Sequence, residues 1–419
     1  MIRAHSGDDT DRSDYSSARP DPFAPARLGP LTLRNRVLKA ATFEGVMPRG
    51  AVTDRLVEFH REVAAGGVAM STVAYCAVSM GGRVHRDTMV MRPGIARDLA
   101  RVAEAVHDEG ALVAAQLGHA GLVANTRSNG CATAAPSTRF SPAAMALVRG
   151  LDHDGIEAII REFAAATQVV EEAGFDAVEL HLGHNYLLSS FMSPNLNRRR
   201  DEYGGTVENR MRFPLRVVEA VRGSLGSHMA LTVKFNMVDG VPSGLWLDDS
   251  LPMAALIEAQ GMVDAIELTG GSSLLNAMYY FRGDVPMREF AATQPRLVGW
   301  GLRLFGGRMF PEMPYEDLFL LPMARQFRER LSTPLILLGG VNGRTDVDRA
   351  MAEGFDFVAM GRALLREPDL PIRMATHPRA AGLCVHCNKC VPTIYSGTRC
   401  VLREGPASSP TPRGDSTIR

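Results

Sequence analysis

Eight short apolar runs, most of them followed by a stretch of helical spacing, constrain the fold more than any other feature of this sequence. They are Arg36–Ala41, Val68–Ala74, Leu112–Leu117, Ala177–His181, Leu231–Phe235, Ala265–Thr269, Leu335–Leu338 and Phe357–Met360. Each is short enough to be a buried strand and too short for a helix. The intervening segments LARVAEAVHDEG, IEAIIREFAAATQVVEEAGF and DVDRAMAEGF repeat their apolar residues at helical spacing. Two of them close on a glycine directly before the next run (EEAGFDAVEL, MAEGFDFVAM), as a helix C-cap feeding a strand does. Strands alternating with helices imply a parallel sheet, and eight units imply an α/β fold of the TIM (β/α)8 type. An open doubly wound sheet holding a dinucleotide would carry G-x-G-x-x-G after its first strand, and none is present.

With 419 residues, 46% of them hydrophobic, the chain can bury a large core. Its 46 basic and 46 acidic side chains cancel, which argues against an electrostatically driven nucleic-acid partner. No apolar run approaches the roughly eighteen residues of a membrane span. The polar termini, residues 1–21 and 404–419, are expected to be disordered tails, leaving 22–403 as the folded domain. The N-terminus lacks an apolar signal-peptide core, and six cysteines in this length do not suggest a secreted disulfide scaffold. A cytoplasmic location is expected.

A barrel of this kind carries its chemistry at the C-terminal ends of its strands. Those ends supply Phe43 and Glu44, Tyr75, Gln116 and His119, His181 and His184, Lys234 and Asn236, Gly270 and Gly271, Gly339 and Gly340, and Gly361 and Arg362. The densest cluster is His181, His184 and Tyr186. The histidines are three positions apart on a strand end, not at the i, i+4 spacing of zinc histidines on a helix. The next segment, YGGTVENRMRF, restarts as a helix with Thr206 as N-cap and Glu208 in the first turn. Gly339, Gly340, Gly361 and Arg362 follow the last two strands, where backbone N–H groups and a guanidinium would cradle phosphate; the plainer alternative is that the glycines permit tight turns.

Three segments exceed a minimal barrel. Asn125 to Gly150 is a loop rich in Ala, Ser, Thr and Pro. Ser272 to Thr333 is an insertion after strand six, about twice a βα unit of roughly 30 residues; its aromatic and glycine content suits a lid or a homo-oligomer contact. Leu383 to Cys400 is a Cys-rich C-terminal loop with the pattern C-x2-C-x2-C, then nine residues, then C.

Taken together, the motifs LGPLTLRNRVLKAA, AAGGVAM, AQLGHAG, ELHLGHNYLLSSFMSPNLNRRRDEYGGTVENRMRF, LGGV and VAMGRALLREPDLP resemble the Old Yellow Enzyme family of NADH:flavin oxidoreductases, including its 2,4-dienoyl-CoA reductase-like branch. The resemblance runs from about Pro22 to Arg403. It implies FMN across the barrel mouth, with Ala40, Ala41, Gln116 and His181 at the flavin and Gly339, Gly340, Gly361 and Arg362 at its phosphate. It implies that His181 and His184 hydrogen-bond a substrate oxygen and that Tyr186 is the proton donor. Lys234 stands where the family usually has Arg, keeping the charge but not the planar fork. Phe43 replaces a Thr or Cys, and Asn185 replaces a Gly.

The function expected is FMN-dependent, NAD(P)H-driven reduction of the C=C bond of an α,β-unsaturated carbonyl compound. Two imidazoles would stabilise the developing oxyanion and the phenol would protonate the neighbouring carbon. The rivals are a flavin-dependent dehydrogenase or demethylase of an amine or steroid-like substrate, a metal-dependent barrel hydrolase using His181 and His184, and a flavin carrier without turnover. Cys384, Cys387, Cys390 and Cys400 suit a [4Fe–4S] cluster or tetrahedral zinc, or are free thiols. His386 and Lys389 are expected beside them as compensating charge.

Overall fold

The computed structural model describes residues 20–294 and 296–403; the expected disordered tails lie outside these, apart from Pro20 and Asp21. All eight strands form. They are β1 Val37–Lys39, β2 Met70–Ala77, β3 Leu112–Gly118, β4 Ala177–Leu182, β5 Ala230–Asn236, β6 Ala265–Thr269, β7 Leu335–Leu337 and β8 Phe357–Met360. Every neighbouring pair is parallel, and β8 pairs β1 to close the barrel. β2 begins two residues later and ends three later than expected, and its register against β3 shifts between Val73 and Cys76. An irregularity of that kind re-aims side chains at a barrel rim, here Tyr75.

Eight helices follow the strands: α1 Asp54–Ala65, α2 Ala96–Asp108, α3 His153–Glu172, α4 Val207–Ser224, α5 Leu247–Gln260, α6 Leu321–Arg328, α7 Arg344–Ala352 and α8 Arg362–Arg366. Their starts follow the sequence signals. Asp152 accepts from Gly155 N at 2.8 Å and Thr206 from Asn209 N at 3.3 Å, each meeting an N–H that the first turn leaves without a partner. Gly174 and Gly354 take the left-handed conformation that turns the chain into the next strand. Along α3, Ile156, Ile159, Ile160, Phe163 and Val170 form one buried stripe.

Strand alternation separates two apolar regions. Val178, Leu180 and Leu182 face outward into the helix layer. Ala177, Ala230, Ala265 and Phe357 face inward at the N-terminal end, where Leu28 and Leu33 of an antiparallel hairpin plug the floor. The floor is therefore closed and apolar, and the inward polar residues all lie toward the mouth. Among the described residues no helix is long and apolar enough to cross a membrane.

Candidate active site

The inward positions above the floor carry charge. Gln116 Nε2 donates to Glu179 Oε1 at 2.7 Å, Lys234 Nζ lies 3.3 Å from the same oxygen, and Lys234 also pairs with Glu267. All four residues are buried. Burial works to lower the Lys234 pKa, but the two carboxylates outweigh it and hold the ammonium above its ordinary value. Burial raises Glu267, helped by neighbouring Glu179 and resisted by Lys234. Lys234, which stands where the family usually has Arg, is thus shared by two acids, from β4 and β6.

One layer higher, His181 stands next to last in β4, and the chain turns through His184 and Asn185 with φ of 60° and 59°. Two adjacent non-glycine residues in the left-handed region are costly and need external restraint. Ser273 N donates to His184 O at 3.0 Å, and His184 N donates to Asn236 Oδ1 at 3.3 Å. Asn185 Nδ2 donates to Asp239 Oδ1 at 2.9 Å. The Asp239 carboxylate also receives Asn236 Nδ2, Ser193 Oγ and Leu245 N. Asparagine tolerates this conformation better than most residues, which explains how it can stand in the place of glycine.

The turn brings the predicted trio together. Ring centroids are 5.2 Å apart for His181 and His184 and 4.4 Å for His181 and Tyr186. Burial, then His184 and Lys234, pushes His181 well below the usual histidine range; burial and Lys234 push His184 down to about 3. Burial thus favours the neutral form of both imidazoles. Burial raises the Tyr186 phenol, with Tyr280 contributing, so it keeps its proton. Thr269 Oγ1 lies 2.9 Å from His184 Nε2, which leaves Nδ1 as the ring atom a ligand can meet. His181 Nδ1 is buried without a protein partner, the signature of a site awaiting a hydrogen-bonding ligand.

Two tyrosines complete the wall. Tyr75 packs edge-on against Tyr186 at 5.3 Å and donates its hydroxyl to Gly82 O at 2.8 Å. Tyr280, from the insertion, stacks on His184. Tyr75 is legible as a strand end; Tyr280 is legible only as part of the aromatic content of the insertion.

The other sequence candidates are split between two places. Ala40 is buried at the mouth, its N–H donating to Met360 O at 2.9 Å. Gly339 and Gly340 have φ of 98° and 84°, and a Cβ on Gly340 would lie 2.5 Å from Leu318 N. Their first requirement is the close passage of residues 315–320, anchored by Tyr315, which donates to Gly340 O at 3.1 Å. A Cβ at Gly361 would meet nothing within 4 Å, so backbone there is open to a ligand. Arg362 turns away: its guanidinium donates to Arg282 O at 2.9 Å and to Asn388 Oδ1, facing the cysteine loop.

Cys384, Cys387, Cys390 and Cys400 all line one void of about 350 Å³, opening included, together with Arg362 and Asn388. Among the described residues, only His153, Asp201 and Glu202 bring three such ligand atoms within 4.8 Å of one another. Tetrahedral zinc with Zn–S near 2.3 Å would draw its sulfurs to about 3.8 Å, and no three of these cysteine sulfurs stand that close together. Among the described residues, His181 and His184 have no third His, Cys or carboxylate ligand atom within 4.8 Å of both. The compensating charge is also corrected. His386 stacks on Tyr315 and Lys389 pairs with Glu289 at 3.1 Å, while Arg362 is the cation that Cys384, Cys390 and Cys387 act on electrostatically.

Comparison with known proteins gives a family and a fold. A family described as NADH:flavin oxidoreductase / NADH oxidase matches residues 21–272. A 4,4'-dithiodibutanoate disulfide reductase of Rhodococcus erythropolis is 61% identical over 394 residues, covering 94% of this chain and 98% of that protein. A metal reductase of Desulforamulus reducens is 31% identical, and the chain spans 52% of its length. Among solved structures, a 2-naphthoyl-CoA reductase complex superposes with a TM-score of 0.77 at 22% identity, covering 90% of this chain and 56% of that one. Morphinone reductase in complex with tetrahydroNAD gives 0.67 at 24%, covering 88% and 94%. At such identities the structures attest the fold.

Proposed function

This chain belongs to the FMN-binding NADH:flavin oxidoreductase / NADH oxidase family, and from that premise we propose that it reduces a small organic disulfide bearing carboxylates at the expense of NAD(P)H. The observation that carries the reading is 61% identity across nearly the whole of the R. erythropolis disulfide reductase. The balance is RSSR + NAD(P)H + H⁺ → 2 RSH + NAD(P)⁺. FMN, when bound, supplies the electron pair taken from the nicotinamide. The residues that would hold it are Ala40, Ala41, Gln116, His181 and Lys234 at the ring, with Gly339, Gly340 and Gly361 at the phosphate.

The chain's own groups then handle charge and protons. Neutral His181 and His184 donate hydrogen bonds to the sulfur that leaves as thiolate, stabilising charge as it develops. Tyr186, kept protonated by burial, delivers a proton to that sulfur. The apolar floor and the aromatic wall of Tyr75 and Tyr280 exclude water. The same donors suit the oxyanion of an α,β-unsaturated carbonyl compound, and enone reduction is the second reading, favoured by the approach of Tyr186 to His181.

The wide cradle of Cys384, Cys387, Cys390 and Cys400 supports a [4Fe–4S] cluster, a one-electron carrier, and with it the 2,4-dienoyl-CoA reductase-like branch. A cytoplasmic setting, in which thiols stay reduced, goes with such ligands. Purified protein should be yellow and should release two thiols per NAD(P)H from 4,4'-dithiodibutanoate. Protein that binds no FMN refutes the flavin reading; protein that reduces enones but not this disulfide refutes the substrate.

A further inference from the structure

The barrel has a second charged cavity, on its outer side. Lys39 ends β1, and strand alternation turns it away from the lumen, between β1 and α1. It forms the floor of a pocket of about 530 Å³, open mouth included. Phe59, Val63 and Leu364 give the walls apolar character, and Arg399, from the cysteine loop, and Arg403, just beyond it, stand among the lining residues.

The Lys39 side chain is 1% exposed, yet its ammonium is poorly met. Of its three N–H donors, one reaches Thr72 O at 3.4 Å. The nearest carboxylate oxygen, Glu44 Oε1, is 3.9 Å away. That oxygen already accepts Ala74 N at 2.9 Å and lies 3.2 Å from His60 Nε2. Phe59 offers its ring face at 5.1 Å. Buried charges are normally paired and hydrogen-bonded. Burial pulls this amine down to about 8 against the pull of Glu44, so it is still largely charged at neutral pH.

We propose that this outer pocket is a binding site for a small aliphatic carboxylate, with the carboxylate on Lys39 and the hydrocarbon stem against Phe59, Val63 and Leu364. At the mouth Glu62 pairs with Arg403, which leaves Lys39 and Arg399 as the cations of the site. A monoanion with an apolar body matches that set better than a polyanion, which Glu62 would repel. Binding would bear on the cysteine loop, because Thr398 N donates to Glu44 O at 2.7 Å and Arg399 follows directly.

The test is calorimetric titration of the FMN-loaded protein with sodium butyrate, against sodium chloride at equal ionic strength. Saturable butyrate binding is expected, with no change in the flavin spectrum. Lys39→Met should weaken it at least tenfold, and Arg399→Glu, on the exposed rim, should weaken it severalfold without loss of fold. His181→Ala/His184→Ala should leave it unchanged. Absence of saturable binding overturns the proposal. So does binding that the histidine variant abolishes while Arg399→Glu and Lys39→Met retain it, since butyrate would then sit in the barrel mouth.

Discussion

Tyr280 lies on the imidazole of His184, with ring centroids 4.4 Å apart and planes 29° from parallel. Its hydroxyl is 3.0 Å from Ser273 Oγ, and Ser273 N holds His184 O. The insertion therefore reaches into the mouth and fixes one of its two donors from the face and from the backbone.

Replacing that ring should loosen ligands more than cofactor. Stacked aromatic pairs are worth about 0.5–1.5 kcal/mol, so Tyr280→Ala should weaken phenol binding severalfold and leave FMN content unchanged. Tyr280→Phe should keep most of the affinity. Spectrophotometric titration with a phenol decides it; equal loss in both variants points to the hydroxyl, not the ring.

Tyr186→Phe should slow acceptor reduction by about 10²–10⁴-fold, the usual contribution of a positioned acid. Reduction of the flavin by NAD(P)H should change little. Stopped-flow measurement of the two half-reactions separates them, and equal slowing of both removes Tyr186 as the specific acid.

Lys234→Met would leave Glu179 and Glu267 facing each other in a dry core. Removing one partner of a buried ion pair costs about 3–5 kcal/mol, so the urea midpoint should fall sharply. Lys234→Met/Glu267→Gln should recover part of the loss. A double variant no more stable than the single one would show that the acids do not repel.

Stability should fall with acid. His184 and His119 have pKa values of about 3 and about 4 when folded, against 6.5 in the unfolded chain, burial being the leading cause for both. Between those values the unfolded chain binds protons that the folded chain excludes. Their contribution is fully present above about 6.5 and is lost progressively as pH falls, by at most about 1.4 kcal/mol per unit for each histidine. Urea midpoints measured from pH 7.5 to 5 should decline, and a flat profile contradicts the buried neutral assignment.

Anaerobically purified protein should carry about four irons and matching sulfide per chain. Cys387→Ser should lose them while the barrel keeps its FMN. One zinc per chain, or no metal, would set aside the wide-cradle argument.

The strands were legible because buried parallel strands write themselves as short apolar runs. Ala265–Thr269 and Phe357–Met360 match to the residue. The histidines were legible because a strand end is an unusual place for two of them. Glu179 and Glu267 each sit alone inside such a run, and that anomaly was the available signal for the charged layer. Asp239 gave none, since its partner Asn185 lies 54 residues away in sequence; for Tyr280 the signal was only the aromatic content of the insertion, its partner His184 lying 96 residues away. His386 and Lys389 show the opposite error. Proximity along the chain suggested that they served the thiols, but loop geometry gave them to Tyr315 and Glu289.

Asn388 joins three parts of the molecule through one amide. It donates to Arg282 O and Asp284 O of the insertion and accepts from Arg362 at the start of α8. The insertion and the cysteine loop are consequently one cassette. A chimera that imports either segment alone from a relative would sever the junction, and only exchange of both together would preserve it.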